Sequence, residues 1–459
     1  MKQLFNKLTN EYDKSIVTKK DYKMFLIVWI IFLAVISTIK IFREYYTIEG
    51  SELYNFLKID VPNYFPFSIF SLTFNSTILV LAIPILLLIL YSLKTRMNPS
   101  KAIFIGILFS LGLNFVNGGI ENGFINTLTY GDVTYYYEAL KIENWVSWLA
   151  EFNSNHLSML NHSASHPPGP TLIIYFLSDI YSVIPATITY TIFSFSNLIL
   201  FYFCLKQFDL SKVNISWLVL LYSVIPSFNI YSILCVDSAF LVFFNIFLLG
   251  LIKYQKGQNK KGGAILILIG LVLVGFFTFA VTYLFAVLGL FAIYNYKLKK
   301  ENTSFRMVRI SIAVFFLVYY FIWQFWGFNW LDAFLTASKS ENPNGFMLLN
   351  HPLNYIFTRL EGFWEWLVFA GLPVSIYLIK IPFKKFYKEY PFSIIAIITI
   401  VLMLLSGAFR TGETGRVLMF TYPYLLLALK DLEIKKLKYL FLICISQSII
   451  MQIFGFWIW

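Results

Sequence analysis

Apolar runs long enough to cross about 30 Å of hydrocarbon recur along this 459-residue chain, and basic residues crowd into every second connection between them. The runs fall near 24–41, 68–93, 102–118, 187–204, 214–232, 238–253, 263–278, 280–296, 308–326, 362–380, 391–408, 416–430 and 438–458. A helix rises about 1.5 Å per residue, so each of these is a span or close to one. Hydrophobic residues make up 58% of the chain and charged residues 13%, a balance that no soluble core of this length could hide. The pattern predicts an all-α polytopic membrane protein with about 13 transmembrane helices.

Charge fixes the expected orientation. The N-terminus and the connections near 94–101, 205–212, 253–261, 297–309, 380–388 and 430–438 hold 28 of the 36 Lys and Arg. Positive loops stay inside, which puts the N-terminus in the cytoplasm and the C-terminus outside a cell membrane. The polar, lysine-bearing N-terminus reads as retained rather than as a cleaved signal. The run Thr171–Ala186 is apolar enough to span, but counting it would turn Lys253–Lys261 and Lys297–Arg309 outward. It is therefore expected to lie as a helix in the outer interface. The chain reads as one membrane-embedded domain over 1–459. Its two larger extracytoplasmic stretches are 119–186, interfacial helix included, and 327–361.

The net charge of +12 could suggest nucleic acid, but its confinement to one side of a membrane argues for lipid instead. Cys204, Cys235 and Cys444 have neither disulfide nor metal spacing and read as packing residues. No P-loop, GxGxxG or nucleophile elbow occurs.

The residues able to carry chemistry gather on the outer side. Asp132 and Glu138 open the first outer stretch; a carboxylate held there can act as a general base on a hydroxyl, or Asp132 can cap the helix after it. Six residues separate the two, so they would not act as an adjacent pair; Asp132 is the favoured base and Glu138 a secondary candidate. His166 heads a rigid His-Pro-Pro-Gly-Pro run, with Pro170 suited to the first turn of the next helix. Its imidazole can face a ligand or simply meet a backbone carbonyl. Asp237 stands at the outer start of a span, as a cap or as a partner for a cation or hydroxyl. The last outer loop places Arg410, Glu413 and Arg416 among glycines at 407, 412 and 415. Two guanidinium forks there suit a phosphate, and a Glu–Arg pair locking the turn is the other reading. Asp332 and His351, in the second outer stretch, are secondary candidates for acceptor binding.

These pieces, in this order, resemble the glycosyltransferase C superfamily. An outer-loop acid with Tyr135–Tyr137 beside it is followed by His-Pro-Pro, then by Asp237, then by Gly412, Glu413 and Arg416 ahead of a span bearing Pro423. The resemblance runs from about 100 to 430. It implies a multi-span enzyme that moves a sugar from a polyprenyl-phosphate carrier to a glycan, lipid or protein acceptor outside, among membrane lipids and without nucleic acid. Asp132 would match the base, and Arg416, with Arg410 and His166, the carrier-phosphate site. The family's acidic pair is usually adjacent, whereas Asp132 is followed by Val133. The resemblance implies no certain cofactor; a divalent cation is compatible but has no identified ligands. The rival readings are a transporter or flippase of lipid-linked sugars, which would need charges within its spans, and a polymerase or ligase of lipid-linked glycans.

Overall fold

The computed structural model describes residues 77–129, 134–178, 182–257, 259–300, 302–341, 345–407 and 414–454, with Lys20, Lys23, Ile27 and Ile30 as isolated helical positions ahead of them. The expected span at 24–41 lies outside the continuously described residues, as do Asp132, Arg410 and Glu413. Every regular element among the described residues is helical.

Helix α1, Thr77–Lys94, ends in a basic connection, and Asn98 then caps α2, Pro99–Ile120, by accepting the Lys101 N–H. The short α3, Tyr135–Ala139, and the nine-residue α4, Gly169–Leu177, precede α5, Ile184–Lys206. Next come α6, Lys212–Val224, α7, Pro226–Leu234, and the long helices α8, Val236–Lys256, and α9, Lys260–Phe277. Helices α10, Val281–Lys299, and α11, Thr303–Trp326, lead to α12, Trp330–Glu341. The last third holds α13, Pro352–Phe369, α14, Leu372–Lys380, α15, Phe383–Glu389, α16, Pro391–Leu405, α17, Thr414–Val417, and α18, Ile434–Phe454.

Seven of these helices are long and apolar enough to cross a membrane, or up to ten if each sharply bent pair is one span. Their packing matches a lipid solvent. Only 22% of the most apolar stretch of α11 is buried, and Phe316, Leu317, Phe321 and Phe325 stand exposed along it. Helix α8, at 67%, forms the centre. Between α8 and α9 the backbones touch: a Cβ on Gly263 would lie 2.6 Å from the Tyr254 nitrogen, and one on Gly250 2.7 Å from the Ile267 nitrogen. In lipid, where apolar contact brings no gain over the solvent, such close approach is a main source of helix association.

Two expected spans are bent, and a third sharp bend falls just ahead of the expected span 391–408. Pro226 has no N–H and holds Ile225 extended, so 214–232 turns by 62° between α6 and α7. The 108° bend between α13 and α14 falls at Gly371, whose φ of 92° suits glycine and whose missing Cβ makes room for the Cys444 sulfur. Helices α15 and α16 meet at 114° beside Pro391. The stretch 416–430 is a series of short α and 3-10 turns rather than one helix. The expected interfacial helix over 171–186 occupies only its first half as α4, which ends at an extended Ser178. Nine residues reach about 13 Å, too short to cross a bilayer.

The basic connections converge at one end of the bundle. Lys256 Nζ donates to the Gln207 carbonyl at 2.7 Å, Lys438 Nζ to the Leu93 carbonyl at 3.1 Å, and Tyr294 Oη to the Tyr387 carbonyl at 3.1 Å. The two large acidic and histidine-bearing stretches meet at the other end. Asn153 and the backbone of Asn329 bond reciprocally at 2.8 and 2.9 Å, and Phe152 packs edge-on to Phe328. All three cysteines are free and buried, as expected for packing residues.

Candidate functional site

At the histidine end, four separate segments converge on Tyr135. Helix α3 begins after Thr134, which occupies the N-cap position without a side-chain cap bond, while Asp132 lies outside the described residues. Tyr135 is buried, with its ring 5.7 Å from that of His162 and 5.6 Å from that of His166, the latter edge-on. Burial first, and then the nearby Asp237 carboxylate, push its phenol well above the ordinary range, against the opposing Arg416 charge. At neutral pH Tyr135 is a proton donor and not a phenolate.

His166 is placed as its rigid Pro-Pro run implies. Pro170 lies in the first turn of α4, and a Cβ at Gly169 would come within 2.4 Å of the Phe276 carbonyl oxygen, so only glycine lets α4 start against the end of α9. His166 Nδ1 then lies 3.3 Å from the Phe277 carbonyl. The backbone-carbonyl reading of this histidine is therefore met, and its ring is at the same time perpendicular to that of Tyr135.

Asp237 sits in the first turn of α8, where the helix dipole favours a carboxylate, and Cys235 takes the cap position. Its Oδ2 accepts the Cys235 thiol at 3.3 Å and lies 3.4 Å from Arg416 Nε. The expected turn-locking partner of Arg416, Glu413, lies outside the described residues; across the bundle, Arg416 pairs with Asp237. Its side chain is 10% exposed against 26% for Asp237, so the pair opens toward solvent on the carboxylate side.

The structure thus brings His166, Asp237 and Arg416 together around Tyr135. The secondary candidates fall elsewhere. Glu138 is buried, bonded to Lys141 Nζ at 3.0 Å and to the Leu160 N–H at 3.1 Å, and it ties α3 to the following loop. Asp332 is exposed and accepts Asn153 Nδ2 at 3.0 Å within the staple that joins the two outer stretches. His351 caps α13, its carbonyl accepting the Tyr355 N–H. Among the described residues no group of three or more His, Cys, Asp or Glu could hold a metal ion.

Two residues went unremarked in the sequence. Glu361 and Glu365, one turn apart on α13, are 2% and 1% exposed. Glu365 Oε1 accepts the Gly415 N–H at 3.0 Å and so holds the segment that carries Arg416. Arg359, on the same helix, donates from Nη1 to the Leu404 carbonyl at 2.9 Å. The signal was present: two acids four positions apart in an apolar helix share one face. A span starting at 362 leaves Glu361 outside it and Glu365 within it.

His156 provides a test of the outer layer by itself. It is fully buried against Phe152, and among the described residues neither ring nitrogen reaches a hydrogen-bond partner. Burial depresses its pKa below the ordinary 6.5, outweighing the opposite pulls of the Ala164 backbone and Asp332. Stability is full above about 6.5, where both folded and unfolded forms are neutral, and is lost as pH falls from there toward the depressed folded value. Hydrogen exchange of the 145–165 amides, corrected for its intrinsic pH dependence, should accelerate between pH 7.5 and 5.5 in the wild type and much less in His156→Phe. Equal acceleration in both would refute the assignment.

The chain matches no protein-family model, no curated protein and no solved structure.

Proposed function

We propose that this protein is an integral membrane glycosyltransferase that passes a sugar from a polyprenyl-phosphate carrier to an acceptor at the extracytoplasmic face. The observation that carries the reading is the pairing of a largely buried Arg416 with a half-open Asp237, beside the proton-bearing Tyr135 and His166. A phosphate arriving there would meet a guanidinium fork, and the phenol is a second donor in its surroundings. Asp132 stands three residues before Tyr135, and three residues of chain reach at most about 11 Å. In the proposed step an acceptor oxygen attacks the anomeric carbon as Asp132 takes its proton. The bond from that carbon to the phosphate oxygen breaks, and the carrier phosphate leaves with the electron pair beside Arg416, with inversion at carbon.

The reading includes the topology. The seven to ten candidate spans, the shorter apolar helices at Val80–Lys94 and Met419–Leu429 and the run near 24–41 support thirteen crossings with the lysine end in the cytoplasm. A cysteine placed at the exposed Lys260 should resist impermeant maleimide in intact cells and react after lysis; the native cysteines are buried and keep the background low. Labelling in intact cells would reverse the orientation.

Transfer from radiolabelled polyprenyl-phosphate sugars in membranes tests the chemistry. Asp132→Asn should abolish transfer while leaving expression intact, and unchanged transfer would end its role as base. One observation favours a transporter of lipid-linked sugars instead: Arg359, Glu361 and Glu365 are buried on a helix that counts as half of a candidate span. Movement of labelled lipid between leaflets without transfer would select that reading.

A further inference from the structure

A second built site lies at the opposite end of the bundle from Tyr135. A cavity of about 370 Å³ opens where α8, α10, the bend between α15 and α16, and Lys430 meet. Phe208, Phe291, Tyr294 and Tyr390 wall it, and Lys256, Lys388 and Lys430 line it. This volume is within the range of small-molecule sites, and the lining is an aromatic wall with a cationic rim.

The charges at the rim are not all neutralised. Lys430 is paired with Asp431, and the one carboxylate in the lining, Glu389, is engaged by Lys385 at 3.8 Å. Among the described residues Lys256 meets the Gln207 carbonyl and the face of Phe208, 4.3 Å from the ring centre, and no carboxylate. Lys388 is exposed and makes no ion pair among the described residues. Two cations are therefore left without a carboxylate.

Deeper in, the polar groups are donor-rich. Asn295, 3% exposed, spends its Nδ2 on Gln255 Oε1 at 2.6 Å and on Ser304 Oγ at 2.8 Å. Since that bond fixes the Gln255 amide with its oxygen toward Asn295, Gln255 Nε2 is left as a buried donor with no partner. Leaving a buried donor unpaired is costly, so it marks a place where an acceptor belongs. Two ammonium groups without a carboxylate and an orphan amide N–H call for a compact, acceptor-rich anion, for which phosphate has the charge and the oxygens.

The position identifies the carrier of that anion. The cavity lies at the lysine-bearing ends of apolar helices, the level where lipid head groups meet a membrane protein. We propose that it binds the phosphate of an anionic membrane lipid, with the aromatic wall against the glycerol and upper acyl carbons, as a site separate from the one at the histidine end. This inference does not depend on the glycosyltransferase reading.

Native mass spectrometry of the full chain in neutral detergent tests it, with phosphatidylglycerol, phosphatidylcholine and inorganic phosphate as probes. The wild type should retain phosphatidylglycerol at least about tenfold more tightly than the Lys256→Gln/Lys388→Gln double variant, the effect of losing one charge-assisted hydrogen bond or more. Both lysines are exposed and leave the core unchanged; the single Lys388→Gln variant, with no fold-supporting contact to lose, repeats the comparison should the double variant express poorly. Equal retention of phosphatidylglycerol by wild type and Lys388→Gln, or of phosphatidylcholine and phosphatidylglycerol by the wild type, would overturn the proposal. Inorganic phosphate binding as tightly as the lipid would overturn the lipid assignment.

Discussion

Arg416→Ala should lower sugar transfer by about 10²–10³-fold, the usual loss when one preorganised donor to a developing anion is removed. Arg416→Lys should recover only part of that loss, because an ammonium keeps the charge but not the planar fork. The 3.4 Å contact with Asp237 adds a distinguishing feature. If Asp237 serves to aim the guanidinium, Asp237→Asn costs less than Arg416→Ala, and the double variant is no worse than Arg416→Ala alone. That non-additivity is what a shared unit produces. Additive losses would mean that the two side chains act on different parts of the substrate. Full transfer in Arg416→Ala would remove the proposed phosphate site altogether. Because Arg416 is largely buried, the comparison is made at equal amounts of folded protein, with Arg416→Lys as the variant that best preserves packing.

The second large effect concerns folding and stands apart from any function. Gly263→Ala should destabilise the protein by about 1–3 kcal/mol or more, the usual cost of forcing an extra carbon into a packed interface. Its new Cβ would lie 2.6 Å from a backbone nitrogen of Tyr254 and 2.8 Å from the Gly250 carbonyl oxygen, and backbone cannot rotate aside as a side chain can. The same substitution at Gly289, in the middle of α10, has the opposite expectation. Nothing lies within 4 Å of the added carbon, so Gly289→Ala gains helix propensity worth up to about 1 kcal/mol and adds no clash. Thermal unfolding in detergent reads both. A Gly263→Ala protein as stable as the wild type would mean that α8 and α9 do not meet as closely as described.

The proposed transfer and the anionic-lipid pocket make separable demands. Loss of lipid retention through Lys388→Gln should leave labelled-sugar transfer at the histidine end intact, since the two sites occupy opposite ends of the bundle.

The sequence by itself determined the helical architecture and the sorting of the connections into two sets. Both follow from local rules: a run of apolar residues in lipid must satisfy its own backbone hydrogen bonds as a helix, and lysines sort by side. The Pro-Pro-Gly-Pro run was equally legible, because proline fixes its own φ and biases its neighbour, so His166 had to stand at the foot of α4. Pro226 carried a readable break as well, although hydropathy alone runs straight through it. Only the tertiary structure decided which charges meet. Arg416 could be read as a phosphate ligand or as the partner of Glu413, which lies outside the described residues; that it reaches Asp237 at the start of α8 depends on how distant helices pack. The burial of Glu361 and Glu365 was settled in the same way, by α13 docking its acidic face against the segment that begins at Thr414. Hydropathy records the average solvent of a stretch of chain. Which face of it turns toward protein, and which partner waits there, is set by contacts between residues far apart in sequence.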